Sequence, residues 1–186
     1  IIECQDIIET CKKNDVYLSV GYRVQHEPNT RTIMGYAKDL PYGNITELSA
    51  MAGYRGGVGS GWRFQKELGG GALYDMGVYT VNALRYGSGM EPLRVISASH
   101  STNRPEAFTE VDETTEYRLE FPNGVMAYGK TSVGETFNQL KVTCEKGWYE
   151  ISPMQSYSGV GGRTSDGKNL DVYLPNQQAR QMDDDA

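Results

Sequence analysis

The sequence lacks any apolar stretch approaching the roughly 20 residues that a membrane span requires, so no membrane partner is expected. It also lacks basic clusters. Its 18 Lys and Arg stand against 24 Asp and Glu, a net charge of -6, and nucleic acid recognition needs the opposite balance. Cysteines are few and scattered (Cys4, Cys11 and Cys144), with neither metal-ligand spacing nor the even count of a disulfide framework. No metal site is expected, and such thiols suit the cytoplasm. No internal repeat is found, and the sequence opens on Ile1-Ile2-Glu3 without an initiator Met or a signal-peptide pattern. The chain opens in helix-like register, so a domain of a longer protein is expected.

Glycine and tyrosine are plentiful, at 22 and 13 residues, which suits a sheet with many turns and a polar aromatic ligand site. The 186 residues are enough for one core, or for one domain and a remnant of another. Cys4, Ile7, Ile8 and Cys11 recur at helical spacing and predict a helix ended by Asn14-Asp15. Val16 to Tyr22 then reads as a buried strand, half of an α/β unit. Glu27-Pro28 opens a second helix with Ile33, Met34 and Ala37 on its apolar face. Ile45 to Tyr54 reads as a strand, 55–61 as a glycine-rich loop, and the stretch after Gly69-Gly70-Gly71 as a helix to about Tyr86, closed by Gly87-Ser88-Gly89.

Beyond that helix the period changes to two. Arg94 to Thr102 predicts a strand. In the next, Thr115, Tyr117, Leu119 and Phe121 alternate with Glu116, Arg118 and Glu120. Val125 to Val133 follows, then a hairpin of Phe137–Cys144 and Trp148–Ile151 around Glu145-Lys146-Gly147. Leu170 to Leu174 is read as a last strand and Asn176 onward as a helix. Strands gathered late in the chain imply an α+β fold: an open, mostly antiparallel sheet with helices on one face. The other face is then either solvated or an oligomer interface.

The helix after the triple glycine carries the chemistry. Leu73, Met76, Thr80 and Leu84 are expected to face the core, with Asp75, Tyr79 and Tyr86 on another side. Asp75 and Tyr79 are four apart and therefore neighbours on the helix surface. A carboxylate beside a phenol can hold a hydroxylated ligand, and a phenol can move the proton of an alcohol oxidation. A free phenol ionises near about 10, so a base working near neutral pH needs a nearby cation. Asp75 would oppose that ionisation. It is therefore read as a hydrogen-bond acceptor for substrate, with the cation supplied from elsewhere. The same pair is also common on ordinary helices. The three glycines lack the dinucleotide fingerprint spacing and serve either a tight turn or a phosphate cradle.

The stretch Trp62-Arg63-x-x-x-Glu67-Leu68-Gly69-Gly70-Gly71-Ala72-Leu73-x-Asp75-x-Gly77-x-Tyr79 resembles the glucose–fructose oxidoreductase/inositol dehydrogenase (Gfo/Idh/MocA) family. So does Gly21-Tyr22-Arg23 followed by Glu27-Pro28. The likeness runs to about Asn176, strongest through Tyr86. It implies a nicotinamide-dependent oxidoreductase acting on a sugar or polyol, with NAD or NADP held mainly by an N-terminal Rossmann domain. It implies Tyr79 as the proton-transferring acid/base and Asp75 as substrate binder or orienter. Trp62 and Arg63 would lie near the nicotinamide end, Trp62 stacking or anchoring a core, Arg63 holding a phosphate or carboxamide. Tyr157 loosely matches a later cofactor-contacting Tyr. Arg23 either lines the substrate cleft or makes a domain-interface salt bridge.

The resemblance places the family's Gly-rich loop and Glu-Lys-Pro motif ahead of Ile1. Residues 1–22 are then the end of the Rossmann domain and 23–186 the substrate and oligomerisation domain, and the isolated chain is expected to be inactive. A homodimer or homotetramer through the open sheet face is implied. Some family members are exported, so a periplasmic location stands beside the cytoplasmic one. A non-catalytic sugar-binding member is the alternative. Glycoside hydrolysis would need a second acid near Asp75, and the Glu116/Glu120 pattern suggests an exposed strand face instead.

Overall fold

The computed structural model describes residues 2–57, 59 and 61–173. Three α-helices, α1 (Ile2–Lys13), α2 (Pro28–Asp39) and α3 (Ala72–Ser88), accompany eight strands. The strands are β1 (Ile45–Gly53), β2 (Arg94–Ser101), β3 (Thr114–Glu120), β4 (Met126–Ser132), β5 (Phe137–Cys144), β6 (Gly147–Ile151), β7 (Gly162–Thr164) and β8 (Asn169–Leu170). They form one sheet in the order β2-β3-β4-β1-β5-β6-β7-β8. β1 and β4 run parallel, and every other neighbouring pair is antiparallel. The fold is thus the expected α+β arrangement, with α3 and α2 packed on one face of the sheet.

Local chemistry explains the boundaries. Glu27 caps α2: its carboxylate accepts from the Thr30 amide at 2.7 Å, and Pro28 follows at the first helical position. Asn29 donates to the same carboxylate and to the Val160 and Val172 carbonyls, tying α2 to the distal strands. The core lies between α3 and the middle of the sheet. Leu48, Ala50 and Ala52 of β1 meet Met76, Thr80 and Leu84 of α3, as the helical pattern predicts, while Leu73 is exposed. The alternation in β3 also holds, with Thr115, Tyr117 and Leu119 buried and Glu116 and Arg118 exposed. Tyr117 lies over Gly129, its register partner in β4, and its hydroxyl meets the Thr80 hydroxyl at 2.6 Å.

α3 closes within Gly87-Ser88-Gly89 as expected, two residues past Tyr86: it runs to Ser88 and ends on Gly89 in left-handed conformation (φ 65°). Gly87 sits inside the helix because a side chain there would press on the Leu140 and Val142 methyls, 3.0 and 3.2 Å from an added Cβ. The strand expected at Val16–Tyr22 does not form among the described residues. A parallel-sheet strand needs neighbours, and this segment pairs with none. Val16, Tyr17, Leu18 and Val20 are exposed, and α1 buries no residue. The last strand is the short β8, and the helix expected from Asn176 lies outside the described residues. Among the described residues no helix is long and apolar enough to cross a membrane.

Candidate active site

The singled-out residues gather at the end of the sheet where β1 finishes. β1 runs into Tyr54, whose amide stays bonded to the Ser132 carbonyl. Arg104 fixes the base of the following glycine-rich loop by donating to the Gly56 and Val133 carbonyls, both at 2.9 Å. Arg104 is itself paired at 2.7 Å with Glu113, which is 2% exposed. Burial opposes the ionisation of Glu113, yet the Arg104 side chain and the amides of Arg104 and Asn103 together hold its carboxyl below its ordinary range.

The loop then returns through two short 3-10 turns, Trp62–Phe64 and Lys66–Leu68, the first pinned by a tilted contact of Phe64 with Phe108 at 5.0 Å between ring centroids. The triple glycine folds these turns back onto α3. The amides of Gly69, Gly70 and Gly71 go to the carbonyls of Lys66, Gln65 and Arg63. Those of Ala72 and Leu73 go to the Asp112 carbonyl and carboxylate. The head of α3 therefore has these amides satisfied internally. Its glycines serve a tight turn, and this helix N-terminus does not present them to a phosphate.

That turn delivers Arg63 to Asp75. Arg63 Nε donates to Asp75 Oδ2 at 2.9 Å, and the Tyr54 hydroxyl donates to the same oxygen at 2.8 Å. Asp75 is only 12% exposed while Arg63 is 46% exposed, so the carboxylate is set back beneath its cation. The Arg63 guanidinium also lies over the Trp62 ring at 4.5 Å. Burial, followed by donation to Asp75, pushes the Tyr54 phenol up to about 12, with Arg63 acting in the opposite sense. The Asp75 bond in turn raises the Arg63 guanidinium above its ordinary value.

One turn further along α3, Tyr79 packs against Tyr22 at 6.1 Å between ring centroids, and Tyr22 against Tyr86 at 5.9 Å. Tyr86 donates to Gln25 at 2.8 Å. These three rings, with Met154 and Gln155, line a small internal cavity. The buried Tyr22 hydroxyl has no hydrogen-bond partner among the described residues; burial, and then the neighbouring phenols, raise its ionisation above the ordinary value. Arg23 donates to the carbonyls of Ser156 and Gln155 at 3.0 and 2.5 Å and lies over the Tyr157 ring at 4.0 Å.

The expected residues thus meet in two adjoining groups. Asp75 joins Arg63 and Trp62, while Tyr79 joins the Tyr22 side, where Gln155 links it to Arg23 and Tyr157. Sequence reasoning passes over Tyr54 and Tyr22. Tyr22 falls inside the Gly21-Tyr22-Arg23 stretch and was within reach of it. Tyr54 ends a predicted strand, and nothing local marks its contact 21 residues away. Trp62, 41% exposed, and Tyr157, 65% exposed, offer aromatic surface that suits a planar ring such as a nicotinamide. No comparable constellation for a whole dinucleotide occurs among the described residues.

Known proteins share this fold. The solved aldose–aldose oxidoreductase from Caulobacter crescentus is 31% identical with a TM-score of 0.89, over 98% of this chain and 56% of that one. The D-xylose 1-dehydrogenase [NADP(+)] of Haloarcula marismortui is 31% identical over 142 residues, 68% of this chain and 36% of its own length. A 3-ketoreductase from Actinomadura kijaniata, at 16% identity, shares the fold with a TM-score of 0.76 over 97% of this chain and 55% of that one. The chain thus spans about a third to just over half of the proteins it matches. Residues 39–150 match the profile of the GFO/IDH/MocA C-terminal domain, and the chain belongs to the Gfo/Idh/MocA family.

Proposed function

We propose that this chain is the substrate-side domain of an NAD(P)-dependent oxidoreductase that interconverts a sugar or polyol hydroxyl and the corresponding carbonyl. The observation that carries this reading is the state of Asp75. Its Oδ2 takes both Arg63 and Tyr54, and Oδ1, with no protein partner among the described residues, is left to accept from a ligand hydroxyl one helical turn from Tyr79. The two 31%-identical relatives are named for aldose and D-xylose chemistry, which favours an aldose as substrate.

When bound, the nicotinamide supplies or accepts the hydride. The residues of this chain bind, orient and move the proton. Asp75 Oδ1 accepts from a substrate hydroxyl and fixes the sugar's orientation. The Tyr79 phenol donates its proton to the carbonyl oxygen in reduction. In oxidation it takes the hydroxyl proton, with a cation from the N-terminal part of the full-length protein stabilising the phenolate. Trp62 and Tyr157 offer the rings against which the planar end of the cofactor would rest, and Arg23 holds Tyr157 in place. NADP is the first candidate, by analogy with the Haloarcula relative.

The test is a panel of aldoses and polyols offered to the full-length protein with NADP and NAD, following reduced nicotinamide by absorbance. Saturable turnover with at least one aldose supports the reading. Sugar binding without turnover on any of them would replace it with a non-catalytic binding protein.

A further inference from the structure

We propose that Arg63 is a positioning residue for Asp75, acting with Tyr54, and not a ligand of the dinucleotide phosphates. The inference rests on the reading of Asp75 as the substrate-binding carboxylate. It departs from the role that family resemblance suggests for Arg63, and it stands on four observations. Arg63 Nε is already committed to Asp75 Oδ2 at 2.9 Å. One face of its guanidinium is covered by Trp62. Its own carbonyl accepts from Gly71 at 2.9 Å, so the backbone that carries it is fastened to the head of α3 and aims the side chain along the helix toward Asp75. The Tyr54 hydroxyl reaches the same Oδ2 at 2.8 Å from the opposite element, the end of β1.

Two donors on one oxygen fix the plane of the carboxylate and leave the other oxygen as the ligand acceptor. Arg63 suits this task better than lysine would. A guanidinium donates in a fixed plane while stacking on an indole, whereas an ammonium is a point charge that does neither. The site's selectivity for a correctly placed hydroxyl then depends on Arg63 and Tyr54 without either touching the sugar.

The experiment uses the full-length protein. Arg63→Met, Arg63→Lys and Tyr54→Phe are compared with wild type for NADPH dissociation constant, by fluorescence, and for aldose affinity. The assignment expects Arg63→Met to weaken aldose binding by about tenfold, the scale of one lost partly buried charge-assisted bond, with NADPH affinity unchanged within about twofold. Arg63→Lys restores only part of the loss, and Tyr54→Phe produces a smaller one. In an Asp75→Asn background, Arg63→Met has little further effect, because the residue acts through Asp75. A tenfold loss of NADPH affinity in Arg63→Met, or an aldose defect that persists undiminished in the Asp75→Asn background, overturns the proposal. If the wild type binds no aldose at all, the reading of the site fails, and the NADPH comparison still decides whether Arg63 belongs to the cofactor.

Discussion

At the scale of single residues, the proposed site divides the two oxygens of one carboxylate, with Oδ2 held by protein donors. Tyr54 and Arg63 hold Asp75 from two sides, and Tyr54 records the pairing in its own ionisation. Its phenol is pushed up to about 12 by burial and then by Asp75. Asp75→Asn removes the charge while leaving the burial, so Tyr54 should ionise at a value between 10 and about 12. Ring-carbon NMR of labelled tyrosine, assigned with Tyr54→Phe, measures this. An unchanged value would mean that burial alone sets it. Asp75, Tyr79, Trp62 and Arg63 were legible in the sequence as candidates because they lie within one motif of fixed spacing. Which of them pair was not legible. The i, i+4 spacing places Tyr79 beside Asp75, but the partners of Asp75 come from the end of β1 and from a loop folded by glycines. Those approaches depend on long-range closure that no local pattern encodes.

At the scale of elements, the turn chemistry was read well and the packing less so. The Glu27-Pro28 start of α2, the Glu145-Lys146-Gly147 hairpin and the alternation of β3 follow directly from residue type. Gly87-Ser88-Gly89 ends α3 as its residue types predict, and Gly87 has a second role invisible in sequence, allowing α3 to settle on Leu140 and Val142 of β5. Gly87→Val should therefore cost about 1–3 kcal/mol through overpacking. Urea unfolding of the full-length protein checks this, and a neutral or stabilising result would contradict the close approach of α3 to β5. The Val16–Tyr22 segment illustrates the limit of reading strands one at a time. Its residues favour a buried strand, but a strand exists only with a partner, and none is present among the described residues.

At the scale of the whole molecule, the sheet carries helices on one face and presents Glu47, Ser49, Met51, Met126, Tyr128, Lys130, Lys141 and Trp148 on the other. Lys130 bridges Glu116 and Glu135, and Arg163 pairs with Glu150. The mixture of aromatic, methionine and internally paired charged residues supports the proposal that full-length protomers join through this face. Sedimentation should show a dimer or tetramer that Met126→Asp with Tyr128→Asp drives to monomer. An oligomer untouched by both changes would place the interface elsewhere.

Stability should also depend on pH at both extremes. The folded values of Tyr54 and Tyr117 stand at about 12, and those of Tyr22 and Tyr149 are raised as well, mainly by burial. The folded state thus holds these protons more tightly than the unfolded state. The associated stability is complete below pH 10, the ordinary phenol value, and declines as pH rises toward about 12. Glu113 has the opposite sign. Its depressed folded value contributes stability above its ordinary value of 4.5, lost as pH falls below it. Arg104→Met, which leaves Glu113 buried with only the Asn103 and Arg104 amides to hold it, should cost about 3–5 kcal/mol and weaken that acid-side dependence, as urea unfolding across acid pH would measure.

The most direct test of the account compares wild type and Tyr79→Phe in the full-length protein, measuring kcat/KM on the preferred aldose alongside NADPH affinity. The account predicts a loss of about 10²–10⁴-fold in kcat/KM, the usual worth of a positioned acid/base, with nucleotide binding intact. Near-wild-type turnover by Tyr79→Phe would contradict it.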